Sequence, residues 1–274
     1  MSDMILRDVD ALAALVPNGA SLAVINQNGG VAMAATRALI RRGVTNLHVI
    51  GVPTSGVQAD MLIGAGCVAA VESGGVSLGE FGQAPNFVRA VKAGAIRVLD
   101  STCPAMYAGL QAAEKGNPFM PLRGLIGSDI VKHRPDYKVI ANPFPPHDPI
   151  VVLPAIKPDF GLFHVALADR FGNVWVGRVR EQAIIAHAAT ETLVTCERLY
   201  DGNLMEDEAL APACLSPLYV RAIAVAPQGA WPLGLAGHYR PDDAHLKLYA
   251  QAAATEAGMQ AYLAEHVFGR RAAE

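Results

Sequence analysis

Val71-Glu72-Ser73-Gly74-Gly75, with Ala84-Pro85-Asn86-Phe87-Val88-Arg89-Ala90-Val91 and Ser101-Thr102-Cys103-Pro104 after it, carries the pattern that decides the fold. Two apolar runs, Val68-Ala69-Ala70-Val71 and Ile96-Arg97-Val98-Leu99, each end in a loop of glycine and small polar residues, and a helical period follows each. Strands buried on both faces read as apolar runs, and their alternation with helices specifies a mostly parallel sheet. Open sheets of this kind bind ligands beyond the carboxyl ends of their strands. The loop residues Glu72, Ser73, Gly74, Gly75 and Cys103 are therefore read as part of an active-site floor.

Toward the N-terminus the same unit recurs. Leu22-Ala23-Val24-Ile25 reads as a buried strand that ends in Asn26-Gln27-Asn28-Gly29-Gly30 before a helical pattern over 31–42. Such a loop makes a site for anions or polarised carbonyls, because unpaired N–H groups converge at a helix N-terminus, or it serves turning alone. Residues 5–15 predict one short amphipathic helix stopped at Pro17, and 47–52 a further strand. The helix over 84–93 leaves Asn86 and Arg89 free to face solvent.

Toward the C-terminus, a proline-rich stretch over 117–150 reads as a winding segment with short strands near Leu122 and Val139-Ile140. Strands follow at 150–153 and 161–167, then a turn at Asp169-Arg170-Phe171-Gly172-Asn173 and an antiparallel return over 174–176. A helix over 179–189, strands at 192–195 and 220–225, and one long helix from about 243 to 267 complete the pattern. One domain over residues 1–274 is expected, with no internal repeat.

A hydrophobic content of 52% with 17% charge excludes a disordered chain, and a mean hydropathy of +0.27 predicts apolar surface set aside for a subunit interface. No run of about 18 uncharged apolar residues occurs and the first residues lack a basic region, so neither a membrane span nor a signal peptide is predicted and a cytoplasmic location is expected. A net charge of −3 with dispersed Lys and Arg gives no footprint for nucleic acid. The four cysteines form no CxxC pair and the eight histidines no ligand spacing, so no metal is predicted.

Five stretches in one order, Ala59-Asp60-Met61-Leu62-Ile63-Gly64-Ala65-Gly66, Ala84-Pro85-Asn86-Phe87-Val88-Arg89-Ala90, Pro118-Phe119-Met120-Pro121-Leu122-Arg123, Ala168-Asp169-Arg170-Phe171-Gly172-Asn173-Val174 and Ala226-Pro227-Gln228-Gly229-Ala230-Trp231-Pro232, span nearly the whole chain. Together they resemble the alpha subunit of class I coenzyme A transferases, closest to the glutaconate type and to the related steroid ring-opening CoA hydrolases. The resemblance implies an α/β fold with a single-domain open, mostly parallel sheet and flanking helices, of the CoA-transferase (NagB/RpiA-like) type. It also implies a beta-type partner subunit in a hetero-oligomer, coenzyme A as substrate with no tightly bound cofactor, and acyl-CoA and carboxylic acid substrates in a cleft between the chains. In such transferases a glutamate on the beta chain attacks the thioester, giving an anhydride and then an enzyme-bound thioester. This chain has no Ser-Glu-Asn-Gly or Ser-Glu-Gly-Gly setting for that nucleophile. Asn26-Gln27-Asn28-Gly29-Gly30 stands where relatives carry a Gly-Gly-Phe loop, and Cys103 where relatives carry a glutamate.

Each candidate has two readings. Cys103 at a helix N-terminus is a nucleophile or a packed, inert thiol. Glu72 is a general base or polar-group binder, or a solvated loop acid; Glu80 offers the same choice and ranks below it. Arg123 pairs with a substrate carboxylate or makes a structural salt bridge. Asn26, Gln27, Asn28, Gly29 and Gly30, with Ser73, Gly74 and Gly75, are the expected substrate and CoA contacts, whereas Asp169 and Asn173 are read as structural. The leading reading is a CoA transferase subunit; the alternatives are a subunit of an acyl-CoA hydrolase and a non-catalytic scaffold. The lack of a basic phosphate cluster disfavours a sugar-phosphate isomerase.

Overall fold

The computed structural model describes residues 4–269. From Ser21 to Asp100 the chain alternates strand and helix: β2 (Ser21–Ile25), α2 (Met33–Arg42), β3 (Leu47–Val52), α3 (Val57–Gly64), β4 (Val68–Ser73), α4 (Pro85–Lys92) and β5 (Arg97–Asp100), preceded by β1 (Ile5–Leu6) and α1 (Val9–Ala13). Then come α5 (Cys103–Glu114), β6 (Phe119–Leu122), α6 (Asp129–His133), β7 (Lys138–Ala141), β8 (Pro149–Pro154), β9 (Phe160–Asp169) and β10 (Val174–Trp175). The last elements are α7 (Arg180–Ala188), β11 (Glu191–Tyr200), β12 (Cys214–Leu215), β13 (Ala222–Val225), α8 (Asp243–Ala253) and α9 (Glu256–His266).

The main sheet runs β1-β13-β11-β9-β2-β3-β4-β5, and every pair along that path is parallel. β10 adds an antiparallel pair against β9 and β12. Helices α1 to α4, α8 and α9 pack as one layer and α5 with α7 as the other, so the sheet is an α/β layer covered on both faces. β9 is buried at all ten positions, as a central parallel strand must be. Three strands that read as separate pieces join as a small antiparallel sheet, β6-β8-β7, packed on α5 through Ala105, Ala108, Val151 and Leu153.

Local chemistry moves several expected boundaries. Residues 5–15 do not form one helix: Ile5 and Leu6 pair as an edge strand with Ile223 and Ala224, and Asp8 caps α1 by accepting from the Ala11 N–H at 2.8 Å. The expected long C-terminal helix is two. Thr255 takes an extended conformation and caps α9 at the Gly258 N–H, where a Cβ on Gly258 would lie 2.3 Å from the Ala252 carbonyl oxygen. β4 extends through Glu72 and Ser73 instead of ending at Val71.

Asn86 does not face solvent. It is buried, and its Nδ2 donates at 2.9 Å to Asp60, whose carboxylate also accepts from the Tyr249 hydroxyl (2.7 Å) and the Phe87 N–H (2.9 Å). Arg89 binds Asn86 and donates to the Ala253 carbonyl, tying α4 to the end of α8. Burial pushes the Asp60 carboxyl up, and the donors from Tyr249, Phe87 and Asn86 offset part of that. Gly64 is required here because a Cβ would sit 2.6 Å from the Asn86 side chain. Asn86→Ala is expected to cost roughly 2 kcal/mol by leaving buried partners of Asp60 and Arg89 unmet, read as a lower urea midpoint with an unchanged slope.

Candidate active site

The strand order turns at β2: successive strands β3, β4 and β5 lie on one side of it, and the returning β9 lies on the other. Ligands bind at such switch points. The loop after β2 is shaped by its own sequence, since the Asn26 side chain accepts from the Asn28 N–H (3.1 Å) and the Asn26 carbonyl from the Gly29 N–H (3.0 Å). Gly30 has φ +80°, and a Cβ on it would lie 2.2 Å from the His164 carbonyl oxygen, so only glycine fits. The His164 N–H donates to the Gly30 carbonyl at 2.7 Å, and Gln182 Nε2 donates to the carbonyls of Gly29 (2.8 Å) and His164 (2.9 Å).

The strand tips form a contiguous row. Gln27 accepts from the Val57 N–H at 3.1 Å, the Ser55 N–H donates to the Gly75 carbonyl at 3.0 Å, and the Gly74 N–H donates to the Pro53 carbonyl at 2.9 Å. A Cβ on Gly74 would meet the Cys103 sulfur at 3.3 Å. Two clefts open beside the loop after β2 and share Asn28 and the Leu235–His238 segment as a wall. The first, about 670 Å³, adds Gln27, Glu80, Tyr239, Arg240 and Asp243; the second, about 510 Å³, lies beside Gly30 and His164 and adds Trp175, Arg178 and Gln182.

A buried polar network underlies that shared wall. Parallel register sets Thr195 beside His164, and Glu197 follows two residues along β11. The His164 ring meets Thr195 Oγ1 at 2.9 Å through Nδ1 and Glu197 Oε1 at 2.7 Å through Nε2. Glu197 also accepts from the Tyr239 hydroxyl (2.8 Å) and the Gln228 N–H (2.7 Å). Burial pushes its carboxyl up, but the donors from His164, Gln228 and Tyr239 outweigh that and hold it at about 2. Burial and the Glu197 carboxylate together push the Tyr239 phenol up.

The structure brings Asn26 to Gly30, Ser73 to Gly75 and Cys103 together along the row of strand tips, where Gln27, Asn28 and Gly30 line a cleft and Ser73 to Gly75 and Cys103 line neither, and it places two other candidates elsewhere. Glu72 is neither a loop acid nor at a cleft. Its side chain is buried against Arg134 (2.7 Å), which Asp136 grips at 2.9 and 2.8 Å, with His48 at 3.5 Å. Burial pushes the His48 imidazole down, and Glu72 opposes that. Arg123 pairs with Asp148 on the small sheet. Cys103 is exposed at the start of α5, after the Thr102 cap. Glu80, ranked lower from sequence, lines the larger cleft. Sequence reasoning passed over His164, Gln182, Glu197 and Tyr239; one signal was available, a lone histidine in the otherwise apolar run 161–167, which burial obliges to find partners.

The sequence profile of the family described as Coenzyme A transferase matches residues 7–216. The chain belongs to that family. It is 30% identical to a subunit of the glutaconate CoA-transferase of Acidaminococcus fermentans over 94% of this chain and 86% of that one. It is 27% identical to a subunit of the 3-oxoadipate CoA-transferase of Pseudomonas knackmussii over 96% and 93%. The crystal structure of the Acidaminococcus fermentans glutaconate CoA-transferase superposes with a TM-score of 0.90 at 28% identity, covering 97% of this chain and 89% of that chain. A longer protein of Archaeoglobus fulgidus is 29% identical over 98% of this chain, which spans 60% of its length.

As a CoA transferase subunit of the alpha type, the chain uses several of its family-like stretches as structure. Asp169 accepts from the N–H groups of Phe171, Asn173 and Leu204, so the turn it opens is self-satisfied. Gly229 lies against the His164 ring, where a Cβ would come within 2.5 Å. No helix among the described residues is long and apolar enough to cross a membrane, and they hold no group of acids, histidines and cysteines that would take a metal ion. The Glu197 carboxyl is ordinarily near 4.5 and is held at about 2 in the fold, so its contribution to stability is full above the upper value and is lost as pH falls toward the lower one. Urea midpoints of wild type and Glu197→Gln should therefore lie furthest apart at neutral pH and converge toward about pH 2.

Proposed function

We propose that this chain is the alpha subunit of a heteromeric enzyme that moves coenzyme A between carboxylic acids, with the acyl end held in the cleft beside Gly30. One observation carries the reading. The buried Gly30 N–H has no acceptor among the described residues, and Gly30 lines the cleft at the switch point. A thioester carbonyl seated there would accept from it, and the bond would strengthen as charge builds on that oxygen. Residues lining this cleft include no carboxylate and no thiol, so the attacking group comes from outside it, on a beta-type partner. Its carboxylate oxygen adds to the thioester carbon, the C–S bond breaks, and coenzyme A leaves as the thiolate. Both transferase relatives are named as one subunit of their enzymes, which supports the partner.

Exchange of labelled coenzyme A between an acyl-CoA and a free acid is expected from this chain only together with a beta-type chain. Hydroxylamine-sensitive label should appear on the partner; label on this chain would overturn the assignment. A second reading, hydrolysis or another acyl-CoA reaction through Cys103, is favoured by one fact: the thiol is exposed at the start of α5, against the Gly74 strand tip. Cys103→Ala is expected to retain exchange within about twofold if coenzyme A transfer is the reaction, and loss of turnover in that variant would establish the second reading.

A further inference from the structure

We propose that Glu197 is a positioning residue that fixes the spacing between the Gly29-Gly30 loop and the Leu235–Tyr239 hairpin, and thereby decides which acyl groups the cleft between them admits. The inference rests on the function proposed above, and deepens it by naming what sets acyl selectivity.

A continuous path of hydrogen bonds joins the two walls. Its first link is Gly30 to the His164 N–H at 2.7 Å; its second is the His164 ring to Glu197 at 2.7 Å; its third is Glu197 to the Tyr239 hydroxyl at 2.8 Å. Tyr239 then closes the hairpin by exchanging backbone bonds with Leu235 at 3.0 and 3.1 Å. The Tyr239 hydroxyl also accepts from the Ala230 N–H at 3.1 Å, and past the hairpin the Asp242 N–H donates to the Pro232 carbonyl at 2.9 Å. Ala236, Gly237 and His238 at its tip are exposed, and its apolar packing is Leu235 and Tyr239 with Ala166, Leu167 and Trp175.

Glu197 is committed to this role. Its Oε1 accepts from both His164 and Tyr239, its Oε2 accepts from the Gln228 N–H, and it lines neither cleft. A carboxylate between two donors makes short, directional bonds, so it acts as a spacer of fixed length. The cleft it spans is walled by Val165, Ala166, Trp175, Leu235 and Ala236. An apolar pocket discriminates one methylene by about 10- to 200-fold, and only when its walls do not shift.

The test uses the full chain with its beta-type partner, and acetyl-, butyryl- and hexanoyl-CoA as donors to a common acceptor acid. Tyr239→Phe should flatten the spread of kcat/KM across the three donors by about tenfold, with the change larger in KM than in kcat and an unshifted pH profile. Glu197→Gln, which keeps an acceptor and a donor, should restore more of the spread than Glu197→Ala. A second readout needs no turnover: in a Trp231→Phe background, Tyr239→Phe should raise acrylamide quenching of Trp175. Unchanged selectivity with unchanged quenching overturns the proposal. So does a fall in kcat common to all donors with selectivity intact, which would put Glu197 at the reacting atoms. If the wild-type complex exchanges none of the donors, the transfer reading has failed, and quenching alone decides the coupling of the walls: a rise supports it and no change removes it.

Discussion

The hydrogen bond from the His164 N–H to the Gly30 carbonyl extends the seam at which the two halves of the sheet are joined. β2 and β9 pair through Leu22, Ala23 and Val24, and this contact continues their pairing past the end of β2, into the loop that faces the cleft. It sets a steric condition, because backbone meets backbone where a side chain on Gly30 would stand. It also sets an electrostatic one. The Gly30 carbonyl is turned back to β9, the Gly29 carbonyl is held by Gln182 and the Asn26 carbonyl by the Gly29 N–H, while the Gly30 N–H has no acceptor among the described residues. A spare backbone donor beside the cleft suits a ligand that brings an oxygen.

Polar groups buried in a sheet of this size destabilise it unless every partner is present. This chain meets that condition in two places, by similar means. At Asp60 the donors are Asn86, Tyr249 and a backbone N–H; at Glu197 they are His164, Tyr239 and a backbone N–H. Each acid ties together segments far apart in sequence. The first fixes the C-terminal helices to α3 and α4, and the second fixes the 226–239 segment to the sheet. Glycines accompany both, Gly64 under Asn86 and Gly229 over His164, because the tying side chains pass where a Cβ would be.

Those glycines explain why the fold was legible and much of the site was not. Alternating apolar runs and glycine-closed helices gave the parallel sheet directly, since period and capping are local properties; Gly43 ends α2 at φ 72° as its position suggests. The tertiary role of a residue is not local. Asn86 looked solvent-facing because nothing near it in sequence reveals Asp60 or Tyr249, and Ile5-Leu6 looked helical because the partner strand lies more than 200 residues on. Arg123 and Glu72 were read as candidate site charges, each with a second reading, and the partners that engage them, Asp148 and Arg134, come from the proline-rich stretch whose geometry no periodicity describes. Glu197 was missed because its strand runs five residues past the apolar run that announced it.

Two acids on the strands of the main sheet, Glu72 on β4 and Glu197 on β11, share a feature that bears on mechanism. Glu72 is buried against a guanidinium that donates to its Oε1, and Glu197 accepts from three donors, so both carboxylates are engaged by the protein. A carboxylate in that state is a poor nucleophile, because attack would first break the bonds that hold it, and losing one partner of a buried pair costs several kcal/mol. Glu80 has free oxygens but stands exposed to water on the wall of the larger cleft, and a hydrated carboxylate must shed that water before it can attack. The chain is therefore better suited to shape the acyl pocket and supply its donors than to provide the attacking carboxylate, and this division of labour is what a pocket completed by a second polypeptide would require.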